Sequence, residues 1–118
     1  MKVCIIPARG GSKRIPKKNI KNFCGKPMIA WTINAAIKSQ CFDKIIVSTD
    51  SEEIAYVSKK YGAEVPFLRP KNISDDHTGT IPVISHAINF INNNFGAVNY
   101  ACCIYATAPF VEPFFIKK

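Results

Sequence analysis

A glycine-rich basic segment follows the first apolar run of the chain, Val3–Ile6. Gly10 and Gly11 can adopt positive φ and bring backbone N–H groups close to an anion. Arg9, directly before them, offers a planar fork of N–H donors to phosphate oxygens. These residue types at this spacing predict a phosphate cradle.

The positive charge of the chain is concentrated at its amino-terminal end. The formal net charge is +8, and residues 1–26 carry eight Lys and Arg with no acidic residue, whereas residues 27–118 carry eight of each sign. Such a density is self-repulsive unless an anion is bound. The flexible side chain of Lys13 or Lys18 can place its ammonium near the negative charge that develops on a leaving group. We therefore expect a phosphate-rich partner: a nucleotide, a nucleic acid or an anionic surface.

Two other interpretations of the basic segment stay open at this point, a solvated basic loop and an arm that binds nucleic acid. No aromatic residue is interleaved among the cations before Phe23, so an arm would lack a platform on which bases could stack. The segment also matches neither G-x-x-x-x-G-K-[ST] nor G-x-G-x-x-G, the two familiar nucleotide-binding patterns.

Strand and helix patterns alternate along the chain around this segment. Short apolar runs predict strands, and apolar residues three or four apart predict helices. The predicted elements are strand Val3–Ile6, a loop to Gly25, helix Pro27–Ile37, strand Lys44–Thr49, a helix from a cap at Asp50 to Gly62, strand Glu64–Leu68, helix Thr80–Asn94 and strand Tyr100–Tyr105. This order predicts an α/β fold, an open parallel sheet with flanking helices, in which ligands bind beyond the carboxyl ends of the strands.

The carboxyl-terminal residues predict the start of one more helix. Glu112 and Pro113 precede three large apolar residues, Phe114, Phe115 and Ile116. One helical turn cannot offset its own nucleation. We therefore expect residues 1–118 to be the amino-terminal part of something longer, or a chain whose carboxyl-terminal end is covered by a partner.

Other residue types narrow the class of protein. No apolar run approaches the roughly 18 residues of a membrane span, and the start is too short for a signal peptide, so we expect a cytoplasmic protein. The five cysteines form no C-x-x-C pair and are expected to be buried free thiols. His77 and His86 lack zinc-like spacing. We expect His86 to be a hydrogen-bonded residue of the third helix, His77 to be a candidate ligand contact, and Trp31 to belong to the core.

Several segments, in order, carry a family resemblance. They read IIPARGGSKRIPKKNI (residues 5–20), GKPMIAWTI (25–33), IVSTDSEEI (46–54) and YGAEVPFLRP (61–70). In this order they resemble the acylneuraminate cytidylyltransferases, the enzymes that make CMP-linked nonulosonic acids. Residues 75–80 and 102–110 look closer to the pseudaminic acid branch than to the sialic acid branch. The resemblance implies a Rossmann-like fold of the nucleotide-diphospho-sugar transferase type.

The resemblance also implies a reaction and a set of site residues. The anomeric hydroxyl of an α-keto acid sugar attacks the α-phosphate of CTP, giving the CMP-sugar and pyrophosphate with Mg²⁺ as cofactor. The implied catalytic residues are Arg9 and Lys18; the implied nucleotide contacts are Arg9, Gly10, Gly11, Ser12, Lys18, Asn19, Arg69 and Thr80; the implied sugar contacts are Tyr105 and Thr107. Lys18 is expected to stabilise the departing pyrophosphate.

Two departures from the family pattern qualify these expectations. Tyr105 stands where sialic acid enzymes carry Gln, which favours a pseudaminic-type sugar. The family's metal-binding aspartates, much of its sugar pocket and its dimerisation arm lie in a second half. The resemblance therefore implies that residues 1–118 are a single truncated α/β nucleotide-binding portion whose carboxyl-terminal half is absent. The metal ligands are unknown, and a homodimer is expected only of the full-length protein. Asp50 is more simply a helix cap, and Asp75 and Asp76 are loop residues.

The expected partners are therefore CTP and a nonulosonic acid sugar, with no nucleic acid and no membrane. A truncated nucleotide-binding module without turnover and a basic nucleic-acid-binding domain are the alternative functions.

Overall fold

A four-stranded sheet lies at the centre of the computed structural model, which describes residues 1–8, 22–23, 25–73, 80–104 and 114–117. The strands lie side by side in the order β4 (Lys44–Ser48), β1 (Lys2–Pro7), β5 (Tyr100–Cys103) and β6 (Phe114–Lys117). The first three are parallel, and β6 is antiparallel to β5. A separate antiparallel hairpin is formed by β2 (Asn22–Phe23) and β3 (Lys26–Pro27).

In the described part of the chain, three α-helices cover the two faces of the sheet. They are α1 (Met28–Ser39), α2 (Glu52–Lys60) and α3 (Thr80–Asn94), and a short 3₁₀ helix spans Lys71–Ile73. Helices α1 and α2 pack on one face, and α3 packs on the other. Within the described part of the chain, no helix is both long and apolar enough to cross a membrane.

Strand β1 explains why the sheet is covered on both sides. Cys4 and Ile6 point into the core shared with α1 and α2, whereas Val3 and Ile5 point into the core shared with α3. All four are fully buried, as the period of two in a strand requires when both faces are apolar. Burying one such aliphatic side chain contributes about 1.5–3 kcal/mol.

The predicted α/β fold with a parallel sheet and flanking helices is confirmed. The third predicted helix has the predicted bounds, Thr80–Asn94. The last predicted strand ends at Cys103 instead of Tyr105, and Tyr105 lies outside the described residues.

The predicted strand Glu64–Leu68 is wrong. Only Glu64 pairs with the sheet, through a parallel bridge to Ile46, and its N–H donates to the carbonyl oxygen of Ile45 (2.8 Å). Pro66 follows two residues later and has no N–H to donate, so the ladder cannot continue through it. The chain instead leaves the sheet edge and returns to it at Arg69.

The prediction that Phe114, Phe115 and Ile116 belong to the first turn of a helix is also wrong, because Phe114–Lys117 forms strand β6. Its residues pair with β5, with Phe115 opposite Cys102. A single helical turn has little intrinsic stability, whereas the edge of β5 offers backbone groups that need partners. Pairing with β5 therefore replaces the predicted helix.

Helix α1 does not place Trp31 in the core. Ile29, Ile33 and Ala36 are buried, whereas Ala35 is exposed and Trp31 is only half-buried. The ammonium of Lys26 lies 4.8 Å from the centre of the Trp31 ring, within the range of a cation–π contact. The expectation that Trp31 belongs to the core is therefore wrong.

Helix α2 is capped by Ser51 and not by Asp50. The Ser51 hydroxyl oxygen accepts a hydrogen bond from the N–H of Ile54 (3.2 Å). The N–H of Ser51 in turn donates to Oγ1 of Thr49 (3.1 Å), which fixes the turn that brings the Ser51 side chain over the first helical turn. Both residue types are good caps, so the sequence alone did not separate them.

Replacing Ser51 by Ala should lower the free energy of unfolding by about 1 kcal/mol, because the Ile54 N–H loses its capping partner. Ser51→Asp keeps a capping oxygen and serves as the matched control. Urea denaturation of both variants is the measurement. Equal stabilities for the two variants would contradict the cap.

Candidate functional site

The carboxyl ends of β1 and β4 meet at one edge of the sheet. Pro7 pairs with Ser48 in the parallel register, and the N–H of Ala8 donates to the carbonyl oxygen of Ser48 (2.9 Å). Arg9, the first residue of the basic segment, follows Ala8 directly in the sequence. The segment therefore starts from the edge at which open α/β sheets bind ligands.

The end of β5 reaches the same edge. The N–H of Ile104 donates to the carbonyl oxygen of Ile5 (3.1 Å), and Tyr105, a predicted sugar contact, is the next residue in the sequence. Two of the predicted groups of site residues, the basic segment and Tyr105 with Thr107, are thus continuous with neighbouring strand ends.

Arg69 brings a buried positive charge to this edge. The residue is only 6% exposed, its Nε donates to Oγ of Ser48 (3.1 Å), and its Nη2 donates to the Ser48 carbonyl oxygen (2.7 Å). Its own backbone N–H donates to the carbonyl oxygen of Thr49 (2.7 Å). A planar guanidinium can make these bonds together, which a lysine ammonium cannot do with the same geometry. The orientation of the charge is therefore fixed by the end of β4.

Aromatic contacts hold the segment before Arg69 against α3. The ring of Phe67 lies edge-on to the imidazole of His86, with the two ring centres 4.8 Å apart. The ring of Phe90 is tilted against the ring of Phe67, and the two ring centres are 4.9 Å apart. His86 and Phe90 are four residues apart and so share one face of the helix.

His86 is not the hydrogen-bonded residue that the sequence predicts. Its Nδ1 atom is buried, and no described residue forms a hydrogen bond with it. Burial, and after it the positive charge of Arg69, lowers the pKa of His86 below its ordinary value of 6.5. The neutral imidazole is therefore the favoured form at neutral pH.

The cysteines are partly as predicted. Cys4, Cys102 and Cys103 are buried free thiols, whereas Cys41 is exposed because it follows the end of α1, and Cys24 lies outside the described residues. A hydrogen bond with Cys102 raises the pKa of Cys4 and lowers that of Cys102. Burial raises the pKa of Cys103 to about 11. Cys4 and Cys103 are therefore protonated at neutral pH and pack as small apolar groups.

Only two predicted site residues lie in the described part of the chain: Arg69, which is hydrogen-bonded to Ser48 at the end of β4, and Thr80, the first residue of α3. The others, Arg9, Gly10, Gly11, Ser12, Lys18, Asn19, Tyr105 and Thr107, lie outside it, as do Asp75, Asp76 and His77. Among the residues that are described, no group of three or more His, Cys, Asp or Glu could hold a metal ion.

Known structures define the class of fold. A synthetase of CMP:2-keto-3-deoxy-manno-octonic acid, solved in complex with CTP, matches with a TM-score of 0.73 at 22% identity over 94% of this chain and 42% of that one. A 4-diphosphocytidyl-2C-methyl-D-erythritol synthase matches with a TM-score of 0.66 at 13% identity over 94% of this chain and 48% of that one. The chain thus has the Rossmann-like fold of nucleotidyltransferases.

The sequence identifies the family within this class. The family model described as cytidylyltransferase matches residues 3–118, and the chain belongs to that family. Pseudaminic acid cytidylyltransferase of Campylobacter jejuni subsp. jejuni serotype O:2 is 47% identical over 116 residues, which are 98% of this chain and 50% of that protein.

A second relative has a different sugar in its name. CMP-N,N'-diacetyllegionaminic acid synthase of Legionella pneumophila is 40% identical over 111 residues, which are 94% of this chain and 48% of that protein. The chain spans about half the length of these two curated relatives. The resemblance stated from the motifs, including the pseudaminic acid branch, is confirmed at the level of the family and its relatives.

Replacing Arg69 by Met should lower the free energy of unfolding by about 1–3 kcal/mol, because the buried oxygens of Ser48 lose their charged donor. Lys38→Ala removes an exposed cation from α1 and should change stability by no more than about 0.5 kcal/mol. The measurement is the midpoint of urea denaturation. Equal effects of the two substitutions would contradict the structural role of Arg69.

Proposed function

We propose that this chain supplies the CTP-binding half of a cytidylyltransferase that transfers CMP from CTP to a nonulosonic acid and releases pyrophosphate. The single observation that carries the proposal is 47% identity to a pseudaminic acid cytidylyltransferase across 98% of the chain. Pseudaminic acid is the favoured sugar, and an acylneuraminate is the second choice, since an N-acylneuraminate cytidylyltransferase of Oncorhynchus mykiss is 41% identical over 97% of the chain.

The geometry of the sheet edge supports a triphosphate site there. Ala8 is tied to the end of β4, so the backbone donors expected of Gly10, Gly11 and Ser12 begin from a fixed point. Arg9 and Lys18 are proposed to balance charge on the triphosphate and on the departing pyrophosphate. In a site with little water, such preoriented donors and charges stabilise a transition state strongly.

Arg69 is proposed to act on the nucleoside side of this site, together with Asn19 and Thr80. Its guanidinium is already engaged with Ser48, so its charge needs no reorientation when a ligand binds. Tyr105 and Thr107, which follow the end of β5 in the sequence, are proposed to border the sugar. In this arrangement the nucleotide and the sugar meet across neighbouring strand ends.

Mg²⁺ is proposed as the cofactor on the basis of the resemblance. The described residues contain no cluster of three or more metal-ligating side chains, so they do not fit the ion as a complete site, and we assign no residue and no step to it. We propose further that the whole protein is a cytoplasmic homodimer, and that turnover needs the part of its relatives that this chain does not match.

CTP with Mg²⁺ should raise the melting temperature of the chain more than GTP with Mg²⁺ does. Ligand that binds only the folded state at about 100 times its Kd stabilises that state by about 2.7 kcal/mol. Differential scanning fluorimetry with matched nucleotide concentrations is the measurement. Equal shifts with the two nucleotides would leave only a general anion site and would contradict a cytidine site.

Arg9→Ala and Lys18→Ala should each weaken CTP binding by about 1–3 kcal/mol, the value of a lost charge-assisted hydrogen bond. Lys17→Ala is the matched control, because it removes the same charge from the same segment at a position that is not assigned to the nucleotide. Isothermal titration calorimetry gives the CTP affinities of wild type and of the three variants. A similar loss in all three variants would indicate diffuse attraction instead of a built cradle.

A binding module without turnover is the alternative function that the sequence analysis left open. Pyrophosphate release from CTP and a nonulosonic acid separates the two candidates. The nucleic-acid alternative would instead require oligonucleotide affinity that falls steeply with salt concentration.

A further inference from the structure

An aromatic clamp, defined here as the rings of Phe67, His86 and Phe90, joins α3 to the segment that carries Arg69. The ring of Phe67 contacts both of the other rings, with its centre 4.8 Å from that of His86 and 4.9 Å from that of Phe90. Arg69 follows Phe67 by two residues and is anchored at its own end by Ser48. The segment from 67 to 69 is therefore held at both ends, by rings on one side and by the end of β4 on the other.

The member of the clamp that can change its charge is His86. Its Nδ1 is buried without a hydrogen-bonding partner among the described residues. A protonated imidazole needs acceptors for both ring nitrogens, so protonation would place a charged N–H where none of these residues accepts it. Burial and the charge of Arg69 lower the pKa of His86 in the same direction.

The surroundings of His86 offer little to balance a positive charge. Helix α3 contains no other acidic or basic residue. In the segment from 67 to 69, the charged group that acts on His86 is Arg69, whose positive charge would repel a protonated imidazole. The core between α3 and the sheet contributes apolar side chains and the thiol of Cys103, which is neutral because burial raises its pKa to about 11. Within the described residues, protonation of His86 therefore meets repulsion from Arg69 and no opposite charge.

We propose that His86 is a positioning residue of the nucleotide site, whose neutral ring holds Phe67 and thereby fixes the Arg69 guanidinium against Ser48. Protonation of the ring loosens this arrangement, and nucleotide binding weakens with it. The inference rests on the proposed function only where Arg69 is taken to contact the nucleoside. The link from His86 to Arg69 runs through the ring contact between His86 and Phe67, which precedes Arg69 by two residues. This link does not depend on the proposed function.

The sign of the pH dependence follows from the direction of the pKa shift. The folded chain takes up the His86 proton at a lower pH than the unfolded chain, whose histidine titrates near the ordinary value of 6.5. The contribution of neutral His86 to the free energy of unfolding is therefore fully present above about pH 6.5, the ordinary pKa of histidine. This contribution is lost as the pH falls from there towards the pKa of His86 in the folded chain. CTP affinity should fall over the same acidic range, as the protonated form becomes populated.

The test compares wild type with His86→Phe, which keeps an aromatic ring and cannot be protonated. CTP affinity in the presence of Mg²⁺ is measured by calorimetry from about pH 7.5 to about pH 5.5, the range in which histidine titrates. The ratio of the wild-type Kd to the variant Kd cancels protonation of CTP itself. We expect this ratio to rise by about 5-fold on acidification, which is the change in affinity at the lower end of common coupling energies between two sites. A constant ratio, or a ratio that falls because an imidazolium simply attracts the triphosphate, would overturn the inference.

A second measurement does not need the nucleotide. The Nε–H resonance of Arg69, assigned by its loss in Arg69→Lys, should shift with the titration of His86 in wild type and stay constant in His86→Phe. If wild type binds no CTP at any pH, the proposed function fails, and this resonance still decides the positioning role. An Arg69 resonance that stays still while His86 titrates would overturn the inference.

Discussion

The carbonyl oxygen of Ser48 accepts two hydrogen bonds, one from the N–H of Ala8 (2.9 Å) and one from Nη2 of Arg69 (2.7 Å). One atom at the end of β4 thus fixes the end of β1 and a buried cation. A charged donor in surroundings of low polarity makes a stronger bond than a neutral donor at the surface. The start of the basic segment and the charge of Arg69 therefore share one reference point, on which the proposed site depends.

The hydrogen bonds to the Ser48 carbonyl oxygen also explain how a strongly cationic chain can form an anion site before an anion binds. Eight cations and no anion occur within residues 1–26, and their repulsion opposes the compact state. The two apolar cores on either side of β1 stabilise the sheet independently of these charges. The sheet can therefore hold the edge in place, and binding energy need not be used to build it.

The sequence was most informative where the structure depends on local periodicity. Helix α3 has the predicted bounds because its apolar residues keep helical spacing throughout. Glu64–Leu68 and Phe114–Lys117 were assigned wrongly, since their structure depends on which backbone groups of β4 and β5 are available as partners. Such pairings join residues that are distant in the chain, so local sequence patterns do not predict which strands pair.

The site shows the same limit at the level of single residues. Arg69 was predicted through the ordered motifs of the family. Ser48 and His86 were not assigned to the site, because a serine at the end of an apolar run and a histidine within an apolar helix give no local signal of what they contact. Their roles come from three separate elements, β4, α3 and the segment between 65 and 69, that meet at one place.

The fold alone cannot select the sugar. Chains only 13% and 22% identical, with different products in their names, share it with TM-scores of 0.66 and 0.73, so the sheet edge is a common scaffold for function placed on its loops. In the proposed function, selection among sugars depends on side chains that follow the strand ends, and Tyr105, the residue after Ile104, is one of those proposed. A tyrosine there presents a hydroxyl on a rigid ring, where a glutamine presents a flexible amide with both a donor and an acceptor. The two side chains would recognise different substituents on the sugar even if the nucleotide were bound in the same way.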